Sequence, residues 1–287
     1  MRKLRRRAAI AWRASWVFPL LLALLPLASQ AGQFPLWEVG AGIAAINFPD
    51  YRGSNERQSY LLPIPYVIYR GDFLKVEDQR VRGLLFRSER AEIDINVNGS
   101  VPVKSSDNDA RRGMPDLDPT LEIGPSLNFF LQRSQDRKFK LDLRLPLRAV
   151  IASDFSRVQH VGWIFQPNLN LDVANVLGNK GWHLGLLAGP VFADRRYHAY
   201  LYGVDPVYVT PERPAYGARG GYAGSQFIAA VSKRYARFWV GGFMKFDSLN
   251  GAVFADSPLV KTKQYFTTGI AVSWRFAQSK MLVEADD

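Results

Sequence analysis

The 287-residue chain has 37 Lys and Arg against 26 Asp and Glu, a formal net charge of +11, and no cysteine. The absence of cysteine excludes a disulfide framework, so packing and backbone hydrogen bonds must hold the fold together. An aromatic content of 13% and 23 glycines are typical of a barrel with interfacial aromatic residues and tight turns.

Residues 1–31 have the three parts of a secretory signal peptide. Six basic residues accompany the apolar run Ser15–Leu27, and Ser29 and Ala31 are small residues where a signal peptidase reads the chain. The apolar run of about 13 residues is roughly 20 Å long as a helix, short of the ~30 Å hydrocarbon core, which favours cleavage over a membrane anchor. Cleavage after Ala31 leaves about 31 basic residues against 26 acidic ones. The remaining charge of about +5 gives no reason to expect nucleic-acid binding.

Three segments of the remaining chain alternate apolar with polar residues, namely 91–97 (AEIDINV), 139–147 (FKLDLRLPL) and 163–173 (WIFQPNLNLDV). A period of two sorts side chains onto the two faces of a strand, and about eleven residues are enough for a tilted strand to cross a bilayer core. Charged residues alternating with Leu and Ile indicate lipid on one side and water on the other. A soluble β-sandwich fits less well, because it would bury such lengths against a second sheet.

Eleven strand-like segments follow the leader, at 37–46, 60–70, 72–87, 91–103, 119–132, 138–151, 161–174, 181–197, 217–232, 237–247 and 264–276. A bacterial barrel with both termini in the periplasm needs an even number of strands. Counted back from the C-terminus, long and short connections alternate as outer loops and periplasmic turns do, so the odd count arises before residue 104. The charged stretch 77–80 (EDQR) interrupts segment 72–87 and divides it into two strands.

The sequence therefore predicts an all-β fold, a transmembrane antiparallel up-and-down β-barrel of about twelve strands, with ten as the alternative. We expect a signal peptide at 1–31, a single barrel domain at 32–276 and a short C-terminal tail at 277–287.

Several short motifs give the chain a family resemblance. Pro49, Tyr51, Gly53 and Ser54 belong to one loop motif (PDYRGS), and Asp256, Ser257 and Pro258 belong to another (DSPLV). Together with Trp37-x-x-Gly40-x-Gly42, Gly124-Pro125, Gly189-Pro190 and Trp274-Arg275-Phe276, their order resembles the MipA/OmpV family of outer-membrane proteins over nearly all of the mature chain. One departure is the tail AQSKMLVEADD after Phe276, since members of that family tend to end on the aromatic residue of the last strand.

The resemblance implies a location in the outer membrane of a Gram-negative cell. For the founding member it implies a scaffold that holds a murein lytic transglycosylase together with a penicillin-binding murein synthase. These expectations about partners come from the resemblance alone.

The residues give little indication of an enzyme or a metal site. Three histidines (His160, His183 and His198) show no spacing that ties them to a serine or a carboxylate, so we predict surface or rim histidines and no enzyme. Four aspartates in loop 104–118 could bind calcium, but Arg111 and Arg112 favour a solvated loop. We predict no metal and no cofactor.

A charged set on the polar strand faces is the most distinctive candidate site. Its members are Glu92, Asp94, Glu122, Lys140, Asp142, Arg144 and Arg148, which lie on neighbouring strands and are expected to face one lumen. If these charges pair across strands they occlude the barrel, which suits a scaffold or interaction protein. If they separate onto facing walls they make a narrow channel for small polar or charged solutes. Twelve strands enclose less than the sixteen of a porin, which favours occlusion.

Overall fold

The computed structural model describes residues 33–77, 80–136, 138–154, 156–176 and 180–284. The strands are β1 (Gln33–Pro35), β2 (Trp37–Pro49), β3 (Arg57–Arg70), β4 (Leu74–Glu77), β5 (Arg80–Arg87), β6 (Ala91–Ser100), β7 (Thr120–Arg133), β8 (Phe139–Ser153), β9 (Val158–Phe165), β10 (Asn168–Ala174), β11 (Trp182–Ala193), β12 (Gly221–Arg234), β13 (Phe238–Ser248), β14 (Gln264–Gln278) and β15 (Leu282–Glu284). One α-helix, α1 (Arg195–Tyr202), lies between β11 and β12. In these ranges no helix is both long and apolar enough to cross a membrane. The predicted signal peptide lies outside the described residues.

Strands β2 to β14 form one closed antiparallel ring. Apart from β9 and β10, each strand pairs with its neighbour in sequence, and β14 pairs with β2 from Thr268 opposite Asn47 to Gln278 opposite Glu38. β9 and β10 both lie between β8 and β11 and are one strand interrupted at Gln166–Pro167, where proline cannot donate to the ladder. The ring therefore has twelve strands. The prediction of a twelve-stranded antiparallel barrel is confirmed, and the alternative of ten strands is wrong.

The ladder registers sort the side chains into an inner and an outer face. Leu169 lies opposite Leu143 and is 49% exposed, whereas Asn170 lies opposite Asp142 and is 2% exposed. Because alternate residues of a strand point to opposite faces, the leucines form the outer wall and the polar residues line the lumen. On the inner face of β13, the Trp239 ring packs over Gly241.

Substitution at Leu169 tests this register. Leu169→Arg would place a charge against lipid and is expected to cost about 2–4 kcal/mol of unfolding free energy near the bilayer midplane. Asn170→Arg is the matched control, because that position adjoins the carboxylates of Asp142 and Asp172. We expect a much smaller loss there. Urea unfolding in lipid vesicles measures both, and equal losses would contradict the assignment of faces.

The connections divide the barrel into two ends. At the loop end lie the long connections 50–56, 101–119, 194–220 and 249–263, and the turn end carries short turns such as 71–73 and 235–237. β15 pairs with β1 at the turn end, so the tail after Phe276 forms a small second sheet with the residues that follow the predicted cleavage site.

The prediction that residues 195–197 continue a strand is wrong, because they begin α1. The Asp194 side chain accepts a hydrogen bond from the Tyr197 N–H at 2.9 Å. An aspartate at this position caps the helix and ends the strand that precedes it. Likewise, β12 begins at Gly221 rather than at 217.

Candidate functional site: a charged lumen under a loop cap

The two family-motif loops meet directly at the loop end. The Tyr51 hydroxyl donates to the Leu259 carbonyl at 2.8 Å, and the Lys261 and Thr262 N–H groups donate to the Gly53 carbonyl at 2.8 and 3.0 Å. Gly53 has a φ of +99°, and a Cβ there would lie 3.0 Å from the Leu249 side chain. A glycine fits this position because it tolerates positive φ and close approach.

The remaining motif residues join these loops to others. Ser54 is buried and accepts from the Asn108 amide at 3.1 Å, and Ser257 is buried and donates to the Tyr202 carbonyl at 2.8 Å. Asp256 is exposed and accepts from the Tyr216 hydroxyl at 2.7 Å. The two prolines lie beside these contacts, Pro49 as the buried last residue of β2 and Pro258 between Ser257 and Leu259.

The four long connections together form a compact layer that we call the cap, comprising 50–56, 101–119, 194–220 and 249–263. Its centre is a stack of Tyr202 on Phe254, with ring centroids 3.7 Å apart and both side chains almost fully buried. Inward-facing residues of the ring pack against this centre, including Val150, Ala152, Ile164, Val191, Ala193, Ala223 and Tyr265. Since these residues come from β8, β9, β11, β12 and β14, the apolar core extends across the loop end and closes it.

His198 lies inside the cap, so the prediction of a surface or rim histidine is wrong for this residue. Its Nδ1 lies 2.6 Å from the Arg219 carbonyl, which assigns the proton to Nδ1, and its ring packs edge-on against Phe254. Burial lowers the pKa of His198, the hydrogen bond to the Arg219 carbonyl partly opposes this, and the charges of Arg52 and Asp194 act in opposite directions. The histidine is therefore neutral in the folded cap at neutral pH.

This burial predicts that the cap loosens in acid. Because the pKa of His198 is lower in the folded state than the ordinary value of about 6.5, protonation favours the opened cap and stability falls as pH drops below that value. Protease cleavage within 194–220 should therefore accelerate from about pH 7 to about pH 5. His198→Gln retains a hydrogen-bond donor but cannot titrate in this range, so it should remove the acceleration. An unchanged pH profile in that variant would contradict the assignment.

The lumen carboxylates on β6 and β7 are buried, two of them paired with arginines and the third bonded to an amide. The Arg148 Nε lies 2.9 Å from Glu122, and the same guanidinium donates to Gln166 on the strand at its other side at 2.6 Å. Glu92 lies 3.0 Å from Arg82, a residue that the sequence analysis did not include. Asp94 accepts from the Asn128 amide at 3.1 Å. These contacts join adjacent strands rather than facing walls.

A second group lies closer to the turn end, around Asp142. This carboxylate pairs with Arg133 of β7 and with Arg144 of its own strand at 3.3 Å, and Arg144 also lies 3.7 Å from Asp172 of β10. Lys140 lies opposite Asp172 in the β8–β10 ladder. Arg144 and Arg148 thus meet different acids, as expected from their separation of four residues along the strand.

A third charged cluster in the lumen, around Glu38, was missed by the sequence analysis. Glu38 is 1% exposed and lies 3.1 Å from Arg70, 3.2 Å from Arg234 and 3.1 Å from Arg275, with the Tyr66 hydroxyl at 3.2 Å. The sequence did contain a signal for this residue. Glu38 lies between the apolar residues Trp37 and Val39, and this alternation places its carboxylate on the inner face. Its three partners come from β3, β12 and β14, whose adjacency only the closed ring reveals.

Comparison with known proteins identifies the family of this chain. A family model described as MltA-interacting protein MipA matches residues 41–276. The chain belongs to this family. The predicted resemblance is confirmed, and the MipA match includes both motif loops, all seven predicted lumen charges and the ring from within β2 to within β14.

The other comparisons add less. No curated protein sequence matches this MipA-family chain. Among solved structures, a bacterial polysaccharide outer membrane secretin is similar at a TM-score of 0.40 and 8% identity, over 84% of this chain and 99% of that one. That likeness is too slight to inform function.

Proposed function

We propose that this MipA-family chain is an outer-membrane β-barrel of a Gram-negative cell, exported by a cleaved signal peptide, and that it acts as a non-enzymatic scaffold for murein remodelling. A closed ring with an apolar outer wall suits a bilayer-spanning protein, because ladder bonds satisfy most of the strand backbone and apolar side chains face the lipid. The family description, MltA-interacting protein, supports a murein lytic transglycosylase as one partner, and the family resemblance adds a penicillin-binding murein synthase.

The observation that carries this proposal is that the barrel is closed at one end and paired inside. The cap core covers the loop end, and the lumen carboxylates Glu92 and Glu122 each pair with an arginine on an adjacent strand. A structure of this kind presents stable surfaces and offers no wide aqueous path. A scaffold requires such stable surfaces to bind its partners.

The turn end is the surface that we assign to the partners. In an outer-membrane barrel the short turns face the periplasm, where the murein lies. Arg237 is exposed in the turn between β12 and β13, next to the Arg234 and Arg275 cluster. A basic surface at this end suits an acidic patch on a partner.

Binding to purified MltA tests the proposal. The full-length protein in lipid nanodiscs should retain MltA on an affinity column. Arg237→Glu should weaken retention by reversing the charge of the turn end, whereas Arg112→Glu, on the exposed surface of the cap, should leave it unchanged. Failure of the unmodified protein to retain MltA would contradict the scaffold assignment.

A narrow channel for small polar or charged solutes is the second candidate. The observation that favours it is the concentration of charged residues on the lumen face of β6 to β10. Such a wall could select ions if water passed along it. A measurement of ion conductance through the purified protein distinguishes the channel from the scaffold.

A further inference from the structure

The barrel wall between β3 and β6 is made of two short strands. The intervening strands β4 and β5 have 4 and 8 residues, whereas β3 has 14. Among the described residues, β4 pairs with β3 only at Val76 opposite Tyr69 and Lys75 opposite Arg70. In the described part of the chain, the edge of β3 from Arg57 to Ile68 therefore faces no neighbouring strand on this side.

Described residues also border the gap on its far side and above it. On the far side stands β6, whose pairing with β5 reaches Asn96 opposite Arg82. Above it, loop 101–119 is tied to loop 50–56, because the Asn108 amide donates to Asp50 at 2.8 Å and the Asp109 N–H donates to Glu56 at 2.7 Å. We call this opening the side window, bounded by β3, β6, the β4–β5 hairpin and loop 101–119.

The edge of β3 at the side window is unsuited to pairing with another strand. The Arg70 N–H donates to the Leu36 carbonyl, and the β2–β3 register has no shift, so even-numbered residues of β3 bond towards β2. The odd-numbered residues 59 to 67 therefore direct their backbone groups into the window. Two of them, Pro63 and Pro65, have no N–H to donate. Carbonyl oxygens thus predominate along this edge.

Such an edge is tolerated in a membrane only where it meets water or a hydrogen-bond donor. The side chains beside it are apolar: Leu61 on the outer face is 73% exposed, and Leu62 is 40% exposed although it lies on the inner face. Across the window, β6 presents the amides of Asn96 and Asn98 towards the lumen. Hydrocarbon contacts and hydrogen-bond acceptors therefore lie side by side.

We propose that the side window is a binding site for a membrane amphiphile, whose hydrocarbon chain lies along Leu61 and Leu62 while its hydroxyl or amide donors meet the β3 carbonyls. A purely apolar molecule would leave those carbonyls without donors, and a peptide strand would meet the two prolines. The site rests on the membrane embedding proposed above, but not on the scaffold role. It opens laterally to the lipid, whereas the cap closes the axial route.

Fluorescence quenching by brominated lipid tests the site. Because the chain has no native cysteine, a bimane label can be placed singly at Leu62→Cys, at outer-wall Leu169→Cys, or at Ala230→Cys, which lies on the inner face of β12 far from the window. In vesicles of phosphatidylglycerol with brominated chains, the labels at Leu62 and Leu169 should lose most of their fluorescence, and the label at Ala230 should keep it. In brominated phosphatidylcholine, whose headgroup has no donors, quenching should weaken at Leu62 only.

Each result that differs from these expectations would contradict a different part of the proposal. An unquenched label at Leu62 together with a quenched one at Leu169 would overturn the side window. Equal quenching at Leu62 in the two lipids would overturn the assignment of donors to the carbonyl edge. An unquenched label at Leu169 would overturn the membrane embedding itself, and with it both this site and the proposed location.

Discussion

Glu38→Ala should destabilise the barrel by about 3–5 kcal/mol, because it removes the buried carboxylate that three arginine side chains share. The carboxylate of Glu38 lies within 3.2 Å of Arg70, Arg234 and Arg275, and the side chain of Arg70 is only 4% exposed. Without Glu38 the three guanidinium groups also repel one another. Urea unfolding of the barrel in lipid vesicles measures the loss.

Two further variants make this result specific. Glu38→Gln keeps an acceptor of similar shape but removes the charge, so it should fall between Glu38→Ala and the unmodified barrel. Asp136→Ala removes a carboxylate from the exposed turn between β7 and β8, where it pairs with Lys138. That control should unfold like the unmodified protein. If Glu38→Ala also did so, the three-arginine cluster would have no structural role.

Arg148→Met should cost a similar amount, about 3–5 kcal/mol, because it leaves Glu122 buried without its guanidinium partner. In the described residues the other contact of this carboxylate is the Asn98 amide at 3.4 Å, which cannot neutralise it. The double variant Arg148→Met/Glu122→Gln should recover much of the loss, since both charges are then gone. The same unfolding assay measures the cycle.

Arg144→Met is the matched control for this experiment. In the structure Asp142 retains Arg133, so the loss should be smaller than for Arg148→Met. An Arg148→Met barrel that unfolds like the unmodified protein yet conducts with altered ion selectivity would favour the channel candidate.

Much of the barrel could be predicted from the sequence because its signal is local. A period of two over ten or more residues fixes the faces of β8 and β10, and the charged break at 77–80 separates β4 from β5. The pairing of Arg148 with Glu122 follows from the adjacency of β7 and β8. These inferences require only strand order and alternation.

The cap and the Glu38 cluster could not be predicted in the same way. The cap depends on contacts between loops far apart in the chain, such as Tyr51 with Leu259, and loop sequences have no period from which such pairing could be read. The Glu38 cluster depends on closure of the ring, which brings Arg70 together with Arg234 and Arg275. The helix α1 had one local signal, the capping residue Asp194.

Single-channel recording in a planar bilayer tests most directly whether this barrel is closed. The purified full-length protein, inserted alongside a porin as positive control, should give no ohmic current steps, because the cap core covers the loop end and Glu92, Glu122 and Asp142 are each paired with arginine in the lumen. Clear ohmic steps from the unmodified protein would contradict the closed-barrel account and establish the channel.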